Sequence, residues 1–229
     1  MIREVATDLW TIEGPVVKFA GASTNTRMTV IKLSDGALWI HSPIAWNETV
    51  EAFVAEQGGN VKALIAPNKF HHIWVHEWSD RFPDAAGFAE EDVKKKISSL
   101  SNAIELTDKA PELYHQDIDQ VVVSGNRMFQ EVAFFHKASR TAIFTDLFIN
   151  RYVDGEPFFA KMFLKLEDVV APVGGIPRLY KLFTSDRTKA RAAVARIKAW
   201  QPERLLFCHS EDFGEDAMTV INREFAYLD

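Results

Sequence analysis

The sequence predicts an α/β (α+β) fold, a four-layer αββα sandwich in which two mixed β-sheets face each other and helices cover both outer sides. Three observations predict it. Residues 5–13 and 28–43 alternate apolar and polar side chains, the period of half-buried strands. Residues 38–65 then run strand, helix, strand, which implies a crossover between parallel strands with one helix against the sheet. The rest continues the order as helix, more strands, helix, strand, helix, with no internal repeat and no low-complexity linker. A single domain over residues 1–229 is expected, with an insertion at about 150–185.

Each element has a local reason. Ser34-Asp35-Gly36 separates two apolar runs and signals a hairpin, so the first forty residues read as a β-meander. Asn47 can cap a helix reaching about residue 57, with Val50, Phe53 and Val54 on one face and Gly58-Gly59 stopping it. The apolar run 61–65 reads as a buried strand, and the histidine-rich stretch after it starts a helix that Pro83 ends. A short strand at 85–89, a charged helix at 90–100 and strands at 102–106, 119–124, 130–135 and 141–148 follow, the last two joined by a polar loop at 136–140. Residues 158–165 look helical, and 171–177 hold two prolines and two glycines. Ser185 or Asp186 can cap a long helix in which Ala190, Ala193, Val194 and Ile197 repeat at helical spacing. A last buried strand, 205–208, ends at His209.

The 229 residues, 47% hydrophobic and 25% charged, suit a globular protein with a substantial core. A formal charge of -6 and a pI near 5.7 argue against a polyanion binder, so nucleic acid is not an expected partner. Cys208 is the sole cysteine and excludes an intrachain disulfide. No run is long enough to span a membrane, and the first residues lack the basic-then-apolar order of a signal peptide. The expectation is a soluble cytoplasmic protein without a membrane partner.

Chemistry concentrates in Ala66-Pro67-Asn68-Lys69-Phe70-His71-His72-Ile73-Trp74-Val75-His76, where three of seven histidines fall within six residues at a strand-to-helix junction. Such junctions are where α/β proteins keep their sites. Asp146 ends a second strand and His209 a third.

A strand followed by a histidine-rich loop, a strand-terminal Asp and a late strand-terminal His together resemble the metallo-β-lactamase fold, and the Pro-Asn-x-Phe-His-His segment resembles an uncharacterised bacterial branch of it. The usual loop of that superfamily reads His-x-His-x-Asp-His. Setting its final Asp-His on His71-His72 puts Pro67 and Lys69 where the first two histidines belong, and a third ligand becomes Asn126. Proline offers no donor and a protonated lysine repels a cation, so the resemblance implies a reduced, mononuclear site of His71, His72, Asp146 and His209. It would hold one divalent ion, zinc, iron or manganese, or none. A hydrolase acting on a small-molecule substrate is implied, with Asp146 as ligand and Lys69 or Asn126 steadying an oxyanion. Another departure from the pattern, Ile40-His41-Ser42-Pro43, leaves His41 near the same edge.

Other readings of the same residues stay open. His71 or His72 can cap a helix, and His76, one turn after His72, can pack or project with it. In a non-catalytic alternative, a pseudoenzyme binding a small ligand or partner, Lys69 neutralises Asp146 where a metal once sat. Cys208 and His209 point to opposite faces of a strand and form no dyad, leaving Cys208 a buried small hydrophobe. Glu90-Glu91-Asp92 and Glu211-Asp212 read as solvated faces, His115 and His136 need no role, and Gly174-Gly175 lacks the setting of a phosphate loop. Seventeen Phe and six Trp suit a core or a homo-oligomer surface.

Overall fold

Sheet A begins as the expected meander, because the loops between its early strands are too short for anything but antiparallel return. In the computed structural model, which describes residues 1–19, 22–209 and 216–229, β1 (Ile2–Ala6), β2 (Leu9–Phe19), β3 (Ala22–Lys32) and β4 (Leu38–His41) pair antiparallel in sequence. Asn47 then caps α1 (Glu48–Glu56), its side chain accepting the N–H of Val50, and Gly58 and Gly59 leave the helix with positive φ. The chain returns in β5 (Val61–Ala66), parallel to β4. α2 (Val75–Arg81) leads to β6 (Ala86–Ala89), and α3 (Glu91–Lys96) to β7 (Ile104–Glu105), completing a seven-stranded sheet in strand order.

Sheet B holds β8 (Ile118–Val123), β9 (Glu131–His136), β10 (Thr141–Ile143) and β11 (Arg204–Leu206), ordered β11-β10-β9-β8, with β10 and β11 parallel and the other pairs antiparallel. Between β10 and β11 lie α4 (Phe158–Leu166), α5 (Arg178–Phe183) and α6 (Arg187–Ala199), and α7 (Ala217–Phe225) follows β11. No described helix is long and apolar enough to cross a membrane.

Strand alternation sorts the side chains into three apolar layers. Trp39, Ala63, Ile65 and Phe88 of sheet A meet Val132, Phe134, Ile143 and Leu206 of sheet B between the sheets. Their sequence neighbours Leu38, Ile40, Leu64 and Ala89 point the other way, onto Val50, Phe53 and Val54 of α1 and Trp78 of α2. Ala133 and Phe135 pack against Ala190, Ala193, Val194 and Ile197 of α6 and Val220 and Ile221 of α7. β5 and β9 are apolar on successive positions because both their faces are covered.

Several expected elements are shorter than their sequence suggests. The histidines precede α2 in a run of turns at 68–74, because the side chain of Asn68 takes the N–H groups of Phe70 and His71. The charged helix expected at 90–100 breaks after Lys96 into a short 3-10 turn, Ser98–Leu100. The strand expected at 141–148 ends at Ile143, since the amides from Thr145 onward bond to the side chain of Glu131 in β9. The pair Glu211-Asp212 lies outside the described residues.

Candidate metal centre

Three chain segments that end side by side at one rim build the site. β5 runs out at Ala66, and Pro67 still accepts the N–H of Val132 in β9, tying the two sheets together there. Asn68 follows, fully buried. Its Oδ1 accepts from the N–H of Phe70 at 2.8 Å and of His71 at 3.2 Å, which winds the loop and aims His71 inward. Its amide donates to Asp146 Oδ2 at 2.7 Å and Thr145 Oγ1 at 2.8 Å, with Glu131 Oε2 at 3.2 Å.

Asp146 sits in the turn after β10, and Glu131, the first residue of β9, holds that turn. The carboxylate of Glu131, wholly buried, accepts the N–H groups of Thr145, Asp146 and Leu147 at 2.8, 2.7 and 3.1 Å. Burial and the neighbouring Asp146 push its carboxyl above the usual range. The third segment is Phe207–Cys208–His209 beyond β11, where Arg27 of β3 donates to the carbonyl of Phe207 and His209 Nδ1 donates to the carbonyl of Asn25 at 2.6 Å.

These constraints bring His71, Asp146 and His209 together. His71 Nε2 lies 3.1 Å from His209 Nε2 and 3.1 Å from Asp146 Oδ2, while His209 Nε2 lies 3.1 Å from Asp146 Oδ1. The ring centroids are 5.0 Å apart. Asp146 is held below the usual carboxylate range: burial opposes its ionisation, but His71 and His209 outweigh it. Burial likewise disfavours charge on His71, and the Asp146 carboxylate reverses this, raising its ring well above the ordinary value. The group therefore closes as a carboxylate–imidazolium pair when only protons are available.

The same group could hold a metal ion, its donor atoms all lying within 4.8 Å of one another. Donors on bonds of about 2.0–2.1 Å in a tetrahedral shell are separated by about 3.3 Å, close to the contacts seen. Tautomer geometry agrees. A carbonyl only accepts, so the proton of neutral His209 sits on Nδ1 and the Nε2 lone pair faces the centre. Ser42 Oγ lies 2.6 Å from His71 Nδ1 and orients the second ring. Two imidazoles and a carboxylate suit zinc or iron.

The other sequence candidates fall elsewhere. His72 is not part of this three-residue group and is half-buried, its burial lowering its pKa. His76 is exposed and pairs at 3.7 Å with Asp80. The expected Lys69–Asp146 pair is not formed, because Asn68 occupies the place beside the carboxylate while Lys69 Nζ donates to the carbonyl of Met128 and lies 5.0 Å over the Phe70 ring. Asn126 is also turned away, donating to the carbonyl of Tyr180 and to Thr184 Oγ1 and accepting from the N–H of Met128. His41 is fully buried, stacks on Trp39 and has no hydrogen-bond partner at either nitrogen; burial and then His71 push its pKa down to about 3. Cys208 is buried and free.

Asn68, Glu131 and Ser42 are the site residues that sequence reasoning passed over. Asn68 lay inside the motif as an unremarked letter, and Glu131 signalled itself as a carboxylate opening an otherwise apolar run. Ser42 takes a positive φ of 54°, which only coordinates reveal.

Compared with known families, the sequence matches the one described as Domain of unknown function (DUF4336) over residues 7–157. The chain belongs to the DUF4336 family. The matched stretch holds His71 and Asp146 and stops short of α4 and His209. No curated protein matches by sequence. Among solved structures, this DUF4336 chain is similar to a metallo-β-lactamase from Pontibacter korlensis, with TM-score 0.65 and 9% identity over 100% of this chain and 98% of that one. Similar metallo-β-lactamases come from Hirschia baltica, with TM-score 0.64, 9% identity and coverage of 100% and 97%. Another, from Erythrobacter litoralis, has TM-score 0.59 and 11% identity over 99% and 91% of the two chains. The DUF4336 chain thus has the metallo-β-lactamase fold.

Proposed function

We propose that the protein is a metal-dependent hydrolase of mononuclear type, with His71, Asp146 and His209 as ligands. What carries the reading is the convergence of two Nε2 atoms and a carboxylate, 3.1 Å apart, from three different loop ends. A divalent ion held there would supply Lewis acidity and water activation. The chain's own residues support that use. Asn25 keeps the His209 proton on Nδ1, Ser42 orients His71, Asn68 holds the Asp146 carboxylate, and Glu131 fixes the backbone turn that carries it. The Asp146 side chain keeps 17% exposure, so the group touches solvent at its rim. The likeness to metallo-β-lactamases makes β-lactams candidate substrates beside simple esters and phosphoesters.

The test is elemental analysis of protein purified without chelator, paired with hydrolysis of p-nitrophenyl acetate, p-nitrophenyl phosphate and a chromogenic cephalosporin. About one zinc, iron or manganese per chain is expected, falling severalfold or more in His209→Ala, with turnover of at least one substrate. Absence of metal, with no shift in melting temperature on adding any of the three ions, overturns the reading. One observation favours a second, non-catalytic reading: the His71–Asp146 pair already balances its charge at 3.1 Å without a metal. In that case the protein binds a ligand or partner, and His71 takes the neutralising part assigned by sequence to Lys69.

A further inference from the structure

α4 is folded with its apolar face outward. Phe158, Phe159, Met162, Phe163 and Leu166 are exposed, Phe159 to 77%, and the helix buries only Leu164. At about 100° per residue these five positions form one stripe about 140° wide, so the exposure is a continuous face. α5 adds Leu182, 76% exposed, and Phe183, and nine of the fourteen exposed large hydrophobics among the described residues fall between Tyr152 and Phe183. An apolar surface concentrated in this way marks a binding face.

Charge selects the occupant. Residues 158–183, which span α4 and α5, carry four basic and two acidic side chains in a chain whose net charge is -6. Lys161 and Lys165 flank the apolar stripe of α4, and neither has an ion-pair partner among the described residues. Aromatic and aliphatic residues on one face, with lysines at its edge, fit a helix lying in the interface of a negatively charged bilayer. An antiparallel two-fold contact of α4 with a second copy would instead bring the lysine edges together, at a cost in repulsion.

We propose that the α4–α5 face docks on an anionic lipid surface. This departs from the expectation from sequence of no membrane partner, and it is independent of whether the centre holds a metal. α5 also carries Tyr180, whose ring packs 5.0 Å from Phe129, itself 5.6 Å from Phe70 beside His71. Docking would therefore present the rim of the centre close to the bilayer.

The test is vesicle flotation of the full chain, with phosphatidylcholine alone or with roughly one-third phosphatidylglycerol at about 0.1 M salt. Binding to the anionic vesicles alone is expected. Lys161→Gln with Lys165→Gln should lower the partition about twenty- to thirtyfold. Phe159→Ser with Phe163→Ser should abolish it, with far-UV circular dichroism unchanged because both rings are exposed. Failure to float with either vesicle, or equal flotation of the Phe159/Phe163 variant, overturns the proposal. A lipid-independent dimer in sedimentation velocity, made monomeric by that variant, overturns it in favour of self-association.

Discussion

Asn68 shows how one side chain can set a site without touching a ligand ion. It caps the loop that aims His71 and at the same time donates to Asp146, so the two groups are positioned by opposite ends of a single amide. Asn68→Ala would leave Asp146 short of a donor and the loop without its cap. A loss of about 2–3 kcal/mol in chemical denaturation is expected. Metal affinity should fall about 10- to 100-fold, because a supporting shell acts through ligand orientation. Unchanged affinity in a folded variant would show that the loop is held by packing alone.

At the scale of elements, the fold places its chemistry where strands end and side chains take over from the ladder. After Phe144, whose N–H still bonds to Leu206 of β11, Glu131 of β9 claims the amides of Thr145, Asp146 and Leu147, and the turn so formed carries Asp146. A comparable junction lies at the start of α6. Gly125 has φ of 93° and its carbonyl accepts the N–H groups of Ser185 and Asp186, while a Cβ at Gly125 would come 2.3 Å from the carbonyl oxygen of Asp186. Gly125→Ala is therefore expected to cost about 2 kcal/mol or more in denaturant melts, through backbone strain and displacement of the α6 cap. A loss within experimental error would mean the loop relaxes freely. Much at this scale was legible. Asn47, Gly58-Gly59 and the alternation of β3 and β4 act through neighbours a few residues away, and such signals survive in a linear string. The ends of β10 and α3 were not legible, because their competitors come from other parts of the chain.

For the molecule as a whole, the centre couples stability to pH. Asp146 is depressed from 3.8, so the stability it contributes is present above that value and is lost as pH falls through its folded pKa. His71 is raised above 6.5, so its contribution is full below 6.5 and is lost as pH rises through its folded pKa. Metal-free protein should thus be most stable between about pH 4 and 6.5. Asp146→Asn should flatten both limbs of a thermal-melt profile. Metal should bind more tightly as pH rises through the folded pKa of His71, which lies well above 6.5, because the ring must lose its proton to bind an ion. A metal-free profile with the same shape in Asp146→Asn would dissociate the pair from stability. By itself, the sequence determined the layer order and most elements, since periodicity and caps are local, while Asp146 and His209 stood out only through the family resemblance. Tertiary structure alone decided that His71 joins them without His72 and that Lys69 and Asn126 turn away, because a side chain's partner depends on which distant donor reaches it first. It also decided that the apolar stripe of α4 faces outward, since a helix pattern states that a face is apolar and only packing states what covers it.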